Sequence, residues 1–173
     1  MNETQEIYLI DSNSFMTPFR FYYAFDLVPT YWERIRQYFE EGRIVVLDMV
    51  QKEIENGEDE LSVWLHEIDN LTVIHHVKPD IIQKYQEVMQ YIEECGLYKQ
   101  SAVTAWAPSS VADPWLIATA AVKGFTLITE EVSCMTLNIK QPNKTAKIPD
   151  VAKEFGVKTA NVFYMMRRLN IQI

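Results

Sequence analysis

Three short apolar runs, at 7–10, 44–47 and 125–129, are each followed at once by a carboxylate: Asp11, Asp48 and the pair Glu130 and Glu131. Each run is rich in β-branched and other apolar residues and too short to be a helix. Each therefore reads as a strand buried on both faces, as strands of parallel sheets are. Longer stretches with helical spacing lie between them. Tyr31 to Glu41 follows Pro29 and stops at Gly42, and Asp59 to Ile68 is amphipathic. In Asp80 to Cys95 the apolar residues Ile81, Ile82, Tyr85, Val88, Met89 and Ile92 recur at helical spacing before Gly96. Trp115 to Lys123 stops at Gly124, a residue type suited to the left-handed turn that ends a helix. Strands alternating with helices predict an α/β fold, a three-layer α/β/α arrangement around a central parallel sheet.

The rest of the chain fits between these elements. Asp48 with Gln51 three residues later predicts an N-cap, as does Asp113 before Pro114. Leu71 to Ile74 reads as another short strand, and Asn56-Gly57 as the end of the helix after the second strand. Phe15 to Phe25 is aromatic-rich with no clear period, and Leu97 to Ser110 reads as a loop or short helix. Gln141 to Lys144 reads as a loop, and two helix-like stretches, Asp150 to Phe155 and Thr159 to Leu169, flank Gly156. With 173 residues, 48% of them hydrophobic, the expectation is one domain over 1–173. Within it, 140–173 forms a basic C-terminal extension packed on the rest. There Lys140, Lys144, Lys147, Lys153, Lys158, Arg167 and Arg168 outnumber Asp150 and Glu154.

The formal net charge of -8 argues against binding nucleic acid through an electropositive envelope, because phosphate neutralisation dominates non-specific affinity. Either the chain does not bind nucleic acid or the acid has a local task; in the second case the basic C-terminal region is a candidate nucleic-acid path, with Trp106, Trp115, Tyr22 and Tyr23 as candidate stacking residues. No apolar stretch approaches the roughly 18 residues of a membrane span, and the first ten residues lack a basic leader. A soluble, unprocessed cytoplasmic protein without membrane contact is expected. Cys95 and Cys134 lack a C-x-x-C arrangement and read as thiols, and His66, His75 and His76 lack zinc-site spacing.

In open parallel sheets, ligands bind beyond the carboxyl ends of the strands. Asp11 and Glu131 follow strands directly, Asp113 opens the helix leading into the strand that delivers Glu131, and Glu53 lies one turn inside the helix after the second strand. Clustered carboxylates repel unless a cation sits among them. Magnesium or manganese suits oxygen ligands and the stabilisation of a phosphodiester under attack. Taken singly, each residue also fits an ordinary role: Asp11 a turn, Asp113 an N-cap, Glu53 a solvated helix position, Glu130 and Glu131 a charged turn.

Tyr-Leu-Ile-Asp-Ser-Asn at 8–13, Val-Gln-Lys-Glu-Ile at 50–54, Ala-Asp-Pro-Trp-Leu-Ile-Ala-Thr-Ala at 112–120 and Leu-Ile-Thr-Glu-Glu at 127–131 resemble, in order, the motifs of the PIN domain. The ending Lys-Ile-Pro-Asp-Val-Ala-Lys-Glu-Phe-Gly-Val at 147–157 resembles a bacterial PIN-like family known as a domain of unknown function. The resemblance implies a metal-dependent endoribonuclease acting on single-stranded RNA, the toxin of a toxin-antitoxin pair. Asp11, Glu53, Asp113 and Glu131 would be the catalytic metal ligands, for Mg2+ or Mn2+. Glu131 stands where the family has aspartate, so neighbouring Glu130 is an alternative fourth ligand. Ser12, Asn13 and Thr129 would orient the ligands through hydrogen bonds. An RNA substrate, a cognate antitoxin protein and a homodimer are the implied partners.

Rival readings remain. Residues 152–169, with Gly156 at a turn, also resemble a helix-turn-helix, which suggests a DNA-binding regulator; Val162, Phe163, Tyr164, Met165 and Met166 suit burial better than groove reading. A catalytically inactive PIN-fold binding protein is a further alternative. A haloacid-dehalogenase-like phosphatase would want an aspartate where Asn13 stands.

Overall fold

A computed structural model describes residues 5–173. Its centre is a five-stranded parallel sheet in the order β3-β2-β1-β4-β5. The strands are β1 (Tyr8–Ile10), β2 (Ile44–Leu47), β3 (Val73–Ile74), β4 (Thr126–Ile128) and β5 (Thr159–Ala160). Leu9 stands opposite Val45 on one side and Leu127 on the other, and Val46 stands opposite Val73. All residues of β1, β2 and β4 are buried, as strands read from unbroken apolar runs should be. The α/β class and the parallel sheet agree with the sequence reading. Among the described residues no helix is long and apolar enough to cross a membrane.

The residues sort into two compact units. The first comprises the described residues through His75, with Thr126–Glu130 and Ala160–Ile173. It holds β1 to β4 with α1 (Asn13–Thr17), α2 (Pro29–Glu40), α3 (Asp48–Glu55), α4 (Glu60–His66) and α9 (Val162–Arg168). Pro29 starts α2 at a position where its missing N–H costs nothing, and Gly42, at φ +68°, ends the turn that follows. Helix α2 buries Tyr31, Trp32, Ile35 and Phe39, and Phe39 stacks on Phe15 at 5.4 Å. Trp64 of α4 packs edge-on against Trp32 and Phe39, at 4.9 and 6.0 Å. Burying each of these large side chains contributes about 1.5–3 kcal/mol. Asp59 caps α4, its Oδ1 accepting from the N–H groups of Leu61 and Ser62 at 3.1 Å each.

The second unit comprises His76–Phe125 and Glu131–Thr159. It holds α5 (Pro79–Glu94), α6 (Gln100–Trp106), α7 (Asp113–Lys123) and α8 (Ile148–Glu154). Helix α5 packs on α7, with Tyr85 stacked on Trp115 at 3.8 Å, and both Ile81 and Val88 are fully buried. The irregular segment 131–147 is tied down by hydrogen bonds. Asn143 N donates to Leu97 O at 2.9 Å, Lys99 N to Asn143 O at 2.7 Å and Cys134 N to Asp150 Oδ2 at 2.9 Å. Cys95 and Cys134 are thiols, half-buried.

Several details depart from the sequence reading. Residues 159–169 are not one helix: Thr159–Ala160 extend as β5, Ala160 O accepts from Thr129 N at 2.9 Å, and only then does α9 begin. Asn161 enforces the break, because its Oδ1 accepts from Tyr164 N at 2.9 Å and so acts as an N-cap. An extended strand thus separates the two tail helices, where a helix-turn-helix needs a tight turn. The ambiguous stretch after Phe15 completes α1 and continues as a π-helical turn at Pro18–Tyr22. Asp48 and Asp113 are the first residues of their helices, one position inside the expected N-caps.

Candidate active site

Strand β1 lies in the middle of the sheet, with β2 and β3 on one side and β4 and β5 on the other. The carboxyl end of β1 is therefore the point where the sheet changes its direction of growth, the place where open α/β sheets bind ligands. Asp11 is the first residue past that end. Its N–H donates to Ile128 O at 2.9 Å and its carbonyl accepts from Ser14 N at 3.0 Å, which extends the β1–β4 ladder and turns the chain into α1. Ser14 Oγ also donates to Ile128 O at 3.3 Å.

The Asp11 side chain is 3% exposed. Its Oδ2 accepts from Thr129 Oγ1 at 3.2 Å and its Oδ1 from Ser12 Oγ at 3.4 Å. Ser12 and Thr129 are themselves buried. A carboxylate taken out of water is held by hydrogen bonds to its oxygens, and these two hydroxyls orient it. The three side chains form one polar cluster at the end of the central strands.

The other expected residues occupy different settings. Asn13 opens α1 and is exposed; Glu53 is exposed on α3, in the same unit as Asp11. Glu130 follows Thr129 and is exposed, its Oε1 accepting from Val162 N at 3.2 Å at the start of α9. Asp113 and Glu131 belong to the second unit. Glu131 Oε1 accepts from Lys147 Nζ at 2.9 Å, and Oε2 from Ile148 N at 2.7 Å, so the carboxylate ties the start of the irregular segment to the start of α8 within this unit. The hydrogen bond to Glu131 is the main cause that raises the Lys147 pKa above its usual value, with the charges of Glu131, Asp113 and Asp150 adding to it. Among the described residues no group of three or more His, Cys, Asp or Glu side chains is spaced to hold a metal ion.

Lys147 is the participant that the sequence did not single out beyond its place in a basic stretch. It lies sixteen positions after Glu131 across an irregular segment, and no periodicity links the two. Of the candidate stacking residues, Trp106 and Trp115 are buried, while Tyr22 is 66% exposed. His66 and His75 stand beside Glu55 and Asp48, at 3.5 and 3.4 Å.

Comparison with known proteins adds two findings. A family described as Domain of unknown function (DUF4411) matches residues 8–173. Among solved structures, the chain resembles the crystal structure of VapBC2 from Rickettsia felis bound to a DNA fragment from their promoter. The TM-score is 0.53 at 16% identity, over 90% of this chain and 98% of that one. That likeness is one of fold. No curated protein sequence matches the chain.

Proposed function

The chain belongs to the DUF4411 family, and from that premise we propose that it is a divalent-metal-dependent endoribonuclease, hydrolysing phosphodiester bonds in single-stranded RNA as the toxin of a toxin-antitoxin pair. The PIN-like fold supports the nuclease class. The observation that carries the reading is Asp11: a carboxylate 3% exposed at the switch point of a parallel sheet, held by two hydroxyls.

The donor chemistry suits Mg2+ or Mn2+, because Asp11 offers hard oxygen and its neighbours, Ser12 and Thr129, are oxygen donors too. Asp11 would hold the ion, and Glu53, Asp113 and Glu131, or Glu130 in place of Glu131, are the further carboxylates we assign to cleavage. When bound, such an ion supplies Lewis-acid stabilisation of the charge that builds on the phosphodiester and lowers the pKa of a bound water. The protein's part is orientation: Thr129 and Ser12 fix the rotamer of Asp11, and burial keeps bulk water from screening its charge. The exposed lysines of the C-terminal region supply positive charge for an RNA strand. The likeness to VapBC2 supports a protein antitoxin as partner. A homodimer is the assembly that the PIN-domain resemblance implies.

The test is cleavage of unstructured and structured RNA by wild type and Asp11→Asn, each with Mg2+, with Mn2+ and with chelator. Wild type should cut unstructured RNA only with metal, and the variant should lose at least roughly a hundredfold of that activity. Equal cleavage by the two proteins would show that Asp11 is not at the centre of the reaction.

A further inference from the structure

The first unit carries an open groove of about 690 Å3 that lies apart from Asp11 in its lining. Its floor is aromatic: Phe19, Phe25 and Trp64, with Phe25 centred 5.5 Å from Phe19 and 6.0 Å from Trp64. Val63, on the wall, is 58% exposed. The chain that supplies Phe19 and Phe25 also exposes Phe21 (74%), Tyr22 (66%) and Leu27 (76%). Large apolar side chains concentrated along one segment mark a surface that meets another molecule.

The rim is acidic, formed by Glu58, Asp59, Glu60 and Glu67. Asp59 is occupied in capping α4, and Glu67 pairs with Arg36 at 3.3 Å. Among the described residues, Glu58 and Glu60 have no cationic partner, and both are exposed. Glu58 also sits at φ +49°, in the left-handed region that side chains rarely adopt. The turn that carries it is tight: a Cβ on Gly57 would lie 3.1 Å from Ile54 O. A strained backbone thus holds a carboxylate at the edge of an aromatic floor.

We propose that this groove docks a basic amphipathic segment of a partner protein, whose apolar side chain enters against Phe19, Phe25 and Trp64 while Lys or Arg side chains meet Glu58 and Glu60. The rim selects the sign of the partner, since carboxylates repel a phosphate backbone and attract a cationic peptide. The floor supplies the anchor, because aromatic pockets that become fully desolvated carry most of the energy of a protein contact. The segment that supplies Phe19 and Phe25 also exposes Phe21, Tyr22 and Leu27, as a surface that meets a protein does. This reading does not depend on nuclease activity.

The experiment is a titration of the full-length chain, followed by amide NMR, with a synthetic lysine-leucine amphipathic peptide and its glutamate-leucine counterpart. The lysine peptide should shift signals of Phe19, Phe25, Val63 and Trp64, and bind several-fold more weakly as salt rises from roughly 50 to 300 mM. Val63→Asp, at an exposed site, and the pair Glu58→Gln with Glu60→Gln should each weaken binding about tenfold. The exposed pair Glu40→Gln with Glu41→Gln should leave it unchanged. Shifts scattered over the acidic surface, equal loss in the control pair, equal binding of the glutamate peptide, or no binding would each overturn the proposal. So would sedimentation showing a dimer that Val63→Asp dissociates, since the occupant would then be a second copy of the chain.

Discussion

Thr129 Oγ1 donates to Asp11 Oδ2 at 3.2 Å across 118 positions of sequence, joining the ends of two neighbouring parallel strands. The bond is buried, so its removal leaves a carboxylate oxygen in a dry setting with one donor fewer. Thr129→Val should therefore cost about 1–3 kcal/mol of stability, whereas Thr129→Ser should retain most of it. Urea unfolding of the three proteins measures the difference. If valine and threonine give the same midpoint, the hydroxyl contributes nothing and the cluster around Asp11 is looser than described.

Metal binding has a readout that does not need RNA. A ligand that binds only the folded state raises its stability by mass action, about 2.7 kcal/mol at a hundredfold excess over Kd. Excess Mn2+ should raise the melting temperature of wild type by several degrees and that of Asp11→Asn by much less. Identical shifts in both would place the ion elsewhere.

Glu131 joins two parts of the second unit through Lys147 Nζ and Ile148 N, at 2.9 and 2.7 Å. Glu131→Ala should lower stability by about 1–3 kcal/mol and expose the segment between them to protease. Limited digestion with mapping of the first cut reads this directly. Lys147→Met isolates the ion pair, because it keeps the Ile148 N–H contact; the smaller loss is expected there, in keeping with a partly solvated pair. A larger loss from Lys147→Met than from Glu131→Ala would reverse that assignment.

Alkaline pH should unfold the protein through its tyrosines. Burial first, and then the hydrogen bond to Glu6, raise the Tyr8 pKa from 10.0 to about 12, and burial likewise raises Tyr91 to about 12. Tyr31 and Tyr98 are also raised by burial. In each case the folded chain holds its proton more tightly than the unfolded one does. The stabilisation is complete below pH 10.0 and is lost as pH climbs through the folded value near 12. A spectrophotometric titration should show a fraction of the tyrosines ionising late and together with loss of structure. Normal ionisation of all nine while the fold persists would contradict it.

Much of the scaffold was legible because its signals are local. Ile44 to Leu47 is apolar and β-branched, and it is buried throughout; Asp80 to Cys95 keeps helical spacing, and the helix runs Pro79–Glu94. The tail was misread because a long-range bond decided it: Ala160 O meets Thr129 N, and Asn161 caps the helix that follows. Helical propensity in Thr159 to Leu169 carried no trace of that partner. The position of Asp11 directly after a buried strand was legible, whereas its neighbour Thr129 is brought to it by a strand order that no local pattern carries. The engagement of Glu131 with Lys147 was not, because an irregular segment sets that distance and no repeat in the sequence encodes it.

The strand order has a consequence for synthesis. Strand β1 leaves the ribosome well before its neighbour β4, which begins only at Thr126. Throughout translation of the intervening residues, Asp11 exists without the hydroxyl that later orients it. A nascent chain that stalls or is cut before that point carries the acid but not this partner, so the arrangement that fixes Asp11 is completed only once β4 has been made.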